Sequence, residues 1–397
     1  MSLTARGWRA ALRQVNRRTF SSSAVSQRHT LPTFEPSSNE DLDSVLDLAR
    51  RRILIPAHLN KAQEQMVYRE KFRARLSADA PEPVRSTVAG ADVTLEHIDR
   101  QRDIPAQWQV LSDALRLADT PTDWENVGKL LEGFADAGVR MRDEWVQKFV
   151  REAAQKGALH VVLRALERAP RTNVRLRSRD VVSRVLWEVR GVAAAENGWG
   201  EVETERAIRY AEKVVELMER EEHCGGSGKR VVKPGDLRTL PFVIATPLEL
   251  NAVHVLRYKG GVDEDGVVEG YAKSLCNNLK HFGLQESTPA EESAPSDGAA
   301  TTATKAKSPN RYQNFAAAVE KLRRLVPVWH GLELARRVLQ PQNRLPLEKV
   351  EVYRVLGEVR GEAEAAVEAM RANLKQGQKV ENHADYQAWV QVRDEKE

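Results

Sequence analysis

The sequence predicts an all-α fold: a short α-solenoid of helical hairpins with an extended N-terminal segment and C-terminal helices. The 397-residue chain is 30% charged and only 6% aromatic, a composition typical of charge-rich helical proteins. From Pro105 onward, amphipathic segments of moderate length are separated by Gly or Pro, which is the pattern of successive helices. No stretch approaches eighteen uncharged apolar residues, so we expect no membrane span.

Residues 1–20 have the pattern of a mitochondrial presequence. They hold five arginines and no acidic residue, and serines cluster directly after them. An amphipathic, arginine-rich and acid-free N-terminus is typical of import into the mitochondrial matrix. The alternative is a basic arm that stays on the protein and binds nucleic acid. Removal of this segment takes the formal net charge from +4 to about −1, so nucleic-acid binding by the mature chain must be local.

We expect residues 21–104 to form an extended N-terminal region with one or two helices. Within it, residues 29–45 are polar and contain Pro and Ser, which predicts a flexible lead-in. A short strand is predicted near Val84–Val88, between breaks at Pro83 and Gly90.

Residues 105–283 are predicted to form the helical-repeat domain, with six amphipathic helices before Glu222. The second helix is expected to start with Thr122 or Asp123 as N-cap and to stop at Gly138, and Ser178 is expected to cap the fifth. Apolar positions of the second and third helices recur about 35 residues later in the fourth and fifth. Such a period predicts stacked hairpins, although any two amphipathic helices align at some shift. The recurring sets are Val127, Leu130, Leu131, Phe134 with Val162, Ala165, Leu166, Ala169, and Val146, Phe149, Val150, Ala153 with Val182, Val185, Leu186, Val189.

The segment LLEGFADAGVRMRDEWVQKFVREAAQKG resembles one pentatricopeptide hairpin's second helix, its turn and the next hairpin's first helix. The resemblance to mitochondrial pentatricopeptide-repeat and tetratricopeptide-like proteins covers residues 105–222. Met141 stands near the position of the turn proline common in that family, and the fifth and sixth helices are longer than the family's. No base-reading positions are therefore carried over.

After this domain, residues 284–310 are of low complexity and are predicted to be a disordered linker. Residues 311–397 are predicted to form a C-terminal helical region.

Motifs for catalysis or cofactor binding do not emerge from the sequence. GGSGK lacks the first glycine of a phosphate loop, because His223 stands there, and Arg230 replaces the magnesium-binding Ser or Thr. DEDG at residues 263–266 lacks the closing glutamate of a calcium loop and predicts a turn. We therefore expect no catalytic residue, no metal, no cofactor and no small-molecule substrate, although a site assembled from distant residues stays open.

The strongest local charge feature is an arginine patch at the end of the fourth helix and in the connector to the fifth. Guanidinium groups suit phosphate oxygens and can stack on unpaired bases, so this patch is the candidate RNA- or partner-binding site. The alternative is internal, since eight glutamates on or just after the sixth helix could pair with it. The patch consists of Arg164, Arg168, Arg171, Arg175, Arg177 and Arg179.

Together, the presequence, the repeat resemblance and the arginine patch predict a non-enzymatic scaffold of mitochondrial gene expression in the matrix. We expect its partners to be mitochondrial ribosomal proteins, mitochondrial RNA, or both. The alternative is an assembly factor for a respiratory-chain complex, whose groove would hold protein segments.

Overall fold

The computed structural model describes residues 31–77, 82–194, 198–233, 235–284, 310–346, 349–375 and 377–395. The predicted presequence and nearly all of the predicted linker lie outside these residues. The described chain is predominantly helical, which confirms the predicted all-α class. The longer helices, numbered along the chain, are α1 (Glu40–Ala49), α2 (Lys61–Tyr68), α3 (Gln107–Leu117), α4 (Pro121–Asp136), α5 (Asp143–Gln155), α6 (Leu159–Glu167), α7 (Arg179–Ala193), α8 (Glu201–Met218), α9 (Pro241–Tyr258), α10 (Val267–Phe282), α11 (Arg311–Leu339), α12 (Lys349–Asn373) and α13 (Ala384–Asp394).

Shorter elements fill the connections. Helix α1 continues through a π-helical segment, Arg50–Leu54, into a last turn at Ile55–Ala57. Pro56 accounts for the wider turn, because its ring has no N–H and clashes with the carbonyl four residues earlier in an α-helix. The remaining short helices are the α-helical turn Ala169–Thr172 and the 3₁₀ turns Glu70–Phe72, Ala74–Leu76, Cys224–Gly226, Leu237–Thr239 and Val380–Asn382.

The strand predicted near Val84–Val88 is present as β1 (Arg85–Val88). It pairs antiparallel with β2 (Ala91–Thr94), which was not predicted, in the register Arg85 to Thr94 and Val88 to Ala91. Gly90 in the turn has φ +82°, a conformation that glycine adopts without strain.

The prediction of a flexible lead-in at residues 29–45 is wrong for the part that the structure describes. Residues 31–39 lie extended against α4, and α1 begins at Glu40. The hydroxyl and backbone amide of Ser38 both donate hydrogen bonds to the buried carboxylate of Asp123, at 2.7 and 3.0 Å. We call this extended segment, residues 31–39, the N-terminal strap.

The start of α4 also differs from the prediction. Thr120, and not Thr122 or Asp123, is the N-cap, and Asp123 closes a capping box by accepting from the Thr120 amide. Pro121 fits the first helical position because its missing N–H would be unpaired there anyway. The predicted cap at Ser178 and the predicted stop at Gly138, with φ +73°, are both confirmed.

Helices α3 to α8 pack in alternation. Helix α3 contacts α5 and α5 contacts α7, while α4 contacts α6 and α6 contacts α8. This is the order of contacts in stacked hairpins, where each hairpin covers the apolar stripe of its neighbour. All sixteen residues of the predicted recurring sets are buried. Tryptophans pack between helices, for example Trp108 of α3 on Trp145 of α5, with ring centroids 5.6 Å apart.

The C-terminal helices continue the same apolar core. Helix α11 packs on α9, and α12 and α13 pack on α11. Buried apolar side chains form one continuous cluster from Leu31 to Val392. The described residues therefore share one interior.

An ionic group lies inside this core where α7, α9 and α11 meet. The Nε atom of Arg190 donates to both carboxylate oxygens of Glu249 at 2.9 Å, and Nδ1 of His330 lies 2.6 Å from Glu249 Oε1. All three side chains are buried. Glu395 reaches the same group, since its Oε2 lies 3.2 Å from His330 Nε2.

Candidate nucleic-acid interface

The six predicted arginines occupy three successive elements. Arg164 and Arg168 are on or just after α6, Arg171 is on the turn Ala169–Thr172, and the others lie in the connector to α7 or at its first residue. Arg164, Arg168, Arg171 and Arg177 are exposed, whereas Arg175 and Arg179 are half-buried.

In the connector, residues 173–178, buried apolar residues alternate with arginines. Val174 and Leu176 are fully buried, while Arg175 and Arg177 between and after them face outward. Such a period of two is that of extended chain with one face on a core. Asn173 makes the turn into the connector with φ +57°, a left-handed conformation that Asn tolerates.

His223 fixes the connector to helix α6. The Leu176 amide donates to Nδ1 of His223 at 3.0 Å, and Nε2 of the ring lies 3.1 Å from the Leu166 carbonyl. Nδ1 is therefore the acceptor and Nε2 carries the proton that it donates to Leu166. Burial lowers the pKa of His223 and keeps the ring neutral. His223 is thus a structural bridge between α6 and the connector.

Two surface cavities adjoin α4 and receive three of the arginines. The first, of about 400 Å³, lies between α4 and α6 and is lined by Arg164 and Arg168 together with His160 and Lys129. The second, of about 300 Å³, is lined by Arg171, Lys129 and the N-terminal strap. Within the groove, Arg168 forms an ion pair with Glu132 at 3.0 Å. We call Arg164, Arg168 and Arg171 the groove arginines.

Arg175 and Arg177 form a second group on the connector. Burial lowers the pKa of Arg175, and the positive charge of Arg177 lowers it further, while Glu222 opposes this effect. The structure therefore does not bring all six arginines to one cavity. It divides them between the groove and the connector, with Arg179 half-buried at the start of α7.

The alternative prediction, in which the acidic residues of α8 neutralise the patch, finds little support among the described contacts. Glu205 pairs with Arg209, Glu216 pairs with Lys213 and Arg220, and Glu219 pairs with Arg238. Of the eight glutamates in that prediction, Glu222 is the one whose negative charge raises the pKa of Arg175. Among the described residues, no ion pair within 4.0 Å joins Arg164, Arg171 or Arg177 to a carboxylate, so these three charges face solvent.

The glycine-rich segment GGSGK packs against the connector. A Cβ atom at Gly226, where φ is +83°, would lie 2.7 Å from the Arg177 carbonyl oxygen. Glycine at this position therefore permits close backbone contact with the connector, which accounts for it without a phosphate. DEDG is likewise a turn, in which Asp263 accepts from the Glu269 amide at the start of α10.

Sequence reasoning missed several cations on the same side of the chain. Lys129 lines both cavities, and its signal was weak because a lone lysine on a helix is common. Lys229, Arg230 and Lys233 are all exposed and directly follow the segment that packs on the connector. The run KRVVK in a predicted loop was the available signal for them.

Among the described residues, the one group close enough to hold a metal ion is Glu201, Glu205 and His254, whose ligand atoms lie within 4.8 Å of one another. Both carboxylates are exposed and Glu205 also pairs with Arg209, so we assign no metal there. None of the described helices combines the length and the apolar character that a membrane crossing requires.

Comparison with known proteins agrees with the predicted location in mitochondria. A family model described as "Mitochondrial ribosomal protein mS27" matches residues 18–393. The chain is similar to "Small ribosomal subunit protein mS27" of Neurospora crassa, with 25% identity over 212 residues. This alignment covers 53% of the chain and 52% of the relative, so the chain spans about half the length of that curated protein. The match of the family model over most of the sequence shows that the chain belongs to the family of mitochondrial ribosomal protein mS27.

Proposed function

We propose that the chain is a non-catalytic structural component of the small subunit of the mitochondrial ribosome and works in the matrix. The observation that carries this proposal is the family match over residues 18–393. The name of the Neurospora relative assigns that protein to a small ribosomal subunit, which supports the same role here. The acid-free, arginine-rich N-terminus supports import into the matrix.

We infer that α3 to α8 are pentatricopeptide-like hairpins. The alternating contacts of these helices and the burial of both recurring apolar sets support this assignment. In such a solenoid the hairpins form a rigid platform, and residues along its grooves and connectors are available to partners.

We further infer that the predicted arginine patch contacts ribosomal RNA, with the groove arginines providing the central contacts. They line cavities of about 400 and 300 Å³ beside α4 and lie next to Lys129. Guanidinium groups in a groove of this size can bind phosphate oxygens and stack on an unpaired base. The near-neutral net charge of the chain after removal of residues 1–20 makes such a local patch the natural site for RNA.

Sedimentation tests the ribosomal role. The tagged chain is expressed in mitochondria and extracts are separated on sucrose gradients, with and without nuclease. We expect it to sediment with the small subunit and to leave that fraction when RNA is digested. Co-migration with a respiratory subcomplex, unaffected by nuclease, would contradict the proposal and favour an assembly factor.

A groove variant tests the RNA contact. Arg164→Gln, Arg168→Gln and Arg171→Gln together remove three charges from the groove. We expect the variant to leave the small subunit at lower salt than the wild type. The matched control is Arg69→Gln, Arg75→Gln and Arg102→Gln, which removes three exposed arginines before α3. Equal salt sensitivity of the two variants would exclude the groove arginines as the RNA contact.

A further inference from the structure

A short basic loop stands beside the connector. Residues 229–233, here called the basic loop, are all exposed: Lys229, Arg230, Val231, Val232 and Lys233. Val231 is 70% exposed and Val232 is 49% exposed. Among the described residues, none of the three cations has an ion pair within 4.0 Å. Their charges and the two valines are therefore available to a partner.

The base of the basic loop is held in a defined place. Arg238 donates from Nη2 to the Lys229 carbonyl at 3.0 Å, and the Ser227 hydroxyl accepts from the Lys229 amide at 3.2 Å. Just before it, Gly226 lies against the Arg177 carbonyl and His223 binds the Leu176 amide. The segment that leads into the basic loop is thus held against the connector.

Two acidic residues near the basic loop in sequence, Asp236 and Glu219, form ion pairs with Arg238. Arg238 pairs with Asp236 at 2.7 Å and with Glu219 at 2.8 Å, and its own side chain is almost fully buried. These pairs raise the pKa of Arg238. Glu222 faces Arg175, and Glu221 beside it is exposed. With Arg238 and its two carboxylates included, six cations stand against four acidic residues, so the surface keeps an excess of positive charge.

We propose that the basic loop and the connector arginines Arg175 and Arg177 form one surface that binds the phosphate backbone of a ribosomal RNA duplex. Arg175 and Arg177 are two residues apart in extended chain, about 6.6 Å along it. Their guanidiniums can thereby follow neighbouring phosphates of one strand, while the loop cations reach the other side of the same duplex. The exposed valines lie against the sugars between them. This inference rests on the proposed ribosomal function and adds a contact separate from the groove arginines.

RNA explains these features better than an acidic protein surface. Exposed cations that form no ion pair can bind a continuous line of phosphates by releasing counterions, and this requires no shaped pocket. Duplex RNA is recognised mostly through its shape, its phosphates and its 2′-hydroxyls, which exposed lysines and arginines on a projecting loop can reach.

The test uses the full chain and a fluorescein-labelled 20-base-pair RNA duplex. The loop variant carries Lys229→Gln, Arg230→Gln and Lys233→Gln, and the control carries Arg69→Gln, Arg75→Gln and Arg102→Gln. Affinity is measured by fluorescence anisotropy across a range of salt concentrations. The plot of log affinity against log salt concentration has a negative slope. We expect this slope to be less steep by roughly 2 to 3 in the loop variant, since each lost phosphate contact reduces its magnitude by about 0.9. The control should keep the wild-type slope.

A charge-preserving variant separates binding from folding. Lys229→Arg with Lys233→Arg keeps both charges and should restore the wild-type slope. Because all three replaced side chains are exposed, the loop variant should keep the wild-type melting temperature. A loop variant with the control's slope would overturn the inference, even if the groove variant weakens sedimentation and the proposed function stands.

Two other outcomes are equally informative. If the loop variant binds the duplex normally but loses nuclease-resistant association with small-subunit proteins, the partner is a protein and the inference is wrong. If the full chain neither binds the duplex nor sediments with the small subunit, the proposed function itself fails.

Discussion

Glu35 and Asn126 exchange two hydrogen bonds across 91 residues of sequence. The Glu35 amide donates to Oδ1 of Asn126 at 2.9 Å, and Nδ2 of Asn126 donates to the Glu35 carbonyl at 2.7 Å. A side-chain amide that mimics a strand partner in this way satisfies both backbone groups of the strap residue. Asn126 is fully buried, so its polar atoms depend on this contact.

Asn126→Ala is therefore expected to lower the free energy of unfolding by about 1–3 kcal/mol, because it leaves the Glu35 backbone groups without these partners. Urea unfolding followed by circular dichroism measures the loss. Limited proteolysis should also cut the variant faster within residues 31–39. Glu125→Ala, at the exposed neighbouring position, is the control and should change stability by less than about 0.5 kcal/mol. Equal values for the two variants would show that the strap contributes no stability.

The carboxylate of Asp123 predicts a dependence on pH. Burial acts to raise its pKa, but hydrogen bonds from Ser38, Thr120 and Asp119 outweigh burial and hold the pKa well below its usual range. Since the folded pKa lies below the unfolded value of about 3.9, the stabilisation is complete above that pH and is lost as the pH falls toward the folded pKa. Asp123→Asn should cost about 2–3 kcal/mol at pH 7.

Unfolding measured in urea at pH 7, 5 and 3 checks this expectation. The difference between wild type and Asp123→Asn should stay constant from pH 7 to pH 5 and narrow at pH 3. A difference that does not change down to pH 3 would mean that the carboxylate keeps no charge-dependent contact with the strap.

The buried pair Arg190 and Glu249 predicts a large effect of single substitutions. Burial acts to raise the pKa of Glu249, but Arg190 and His330 outweigh it and lower the pKa, so the group is charged. Arg190→Met leaves that charge without its main partner, which should cost about 3–5 kcal/mol. The double variant Arg190→Met with Glu249→Gln should recover part of this loss.

Chemical denaturation of the single and double variants gives the coupling between the two side chains. The control is the exposed pair Arg354 and Glu358, 2.6 Å apart, where Arg354→Met should cost no more than about 1 kcal/mol. If the double variant is as unstable as the sum of both single variants, the two charges are not energetically coupled.

Gly226 predicts a steric effect on the connector. Gly226→Ala places a methyl group 2.7 Å from the Arg177 carbonyl oxygen, in addition to the strain of φ +83°. Gly228→Ala has a similar strain at φ +65° but meets nothing within 4 Å, so it is a matched control. We expect Gly226→Ala to be less stable than Gly228→Ala by about 1–3 kcal/mol in thermal unfolding. Equal stabilities would show that the loop moves freely away from the connector.

Helices α4 to α7 were predictable because the information that specifies them is local. Apolar residues such as Val127 and Leu131 recur with the helical period, and Gly138 and Ser178 mark helix ends by their own backbone preferences. The mitochondrial location followed from the composition of residues 1–20, and the family match confirms it. The predicted N-cap of α4 was wrong because Thr120, Thr122 and Asp123 are all residue types that favour N-caps. The choice among them depends on the capping box that Thr120 and Asp123 form.

The strap and the division of the arginine patch could not be predicted because they depend on distant contacts. The strap is held by Asn126 and Asp123, which are 91 and 85 residues away from their partners. The connector is held by His223, 47 residues after Leu176. Periodicity carries no information about such pairs, so the sequence predicted which arginines cluster along the chain but not which ones share a cavity.

The position of Glu395 beside His330 has a consequence for how the protein acquires its structure. A polypeptide that enters the organelle N-terminus first has delivered α7, α9 and most of α11 long before residue 395 arrives. Until then the imidazole of His330 lacks one of its two acidic neighbours. For a chain imported in this direction, the buried ionic group of Arg190, Glu249 and His330 gains its fourth member only after residue 395 has crossed the membrane.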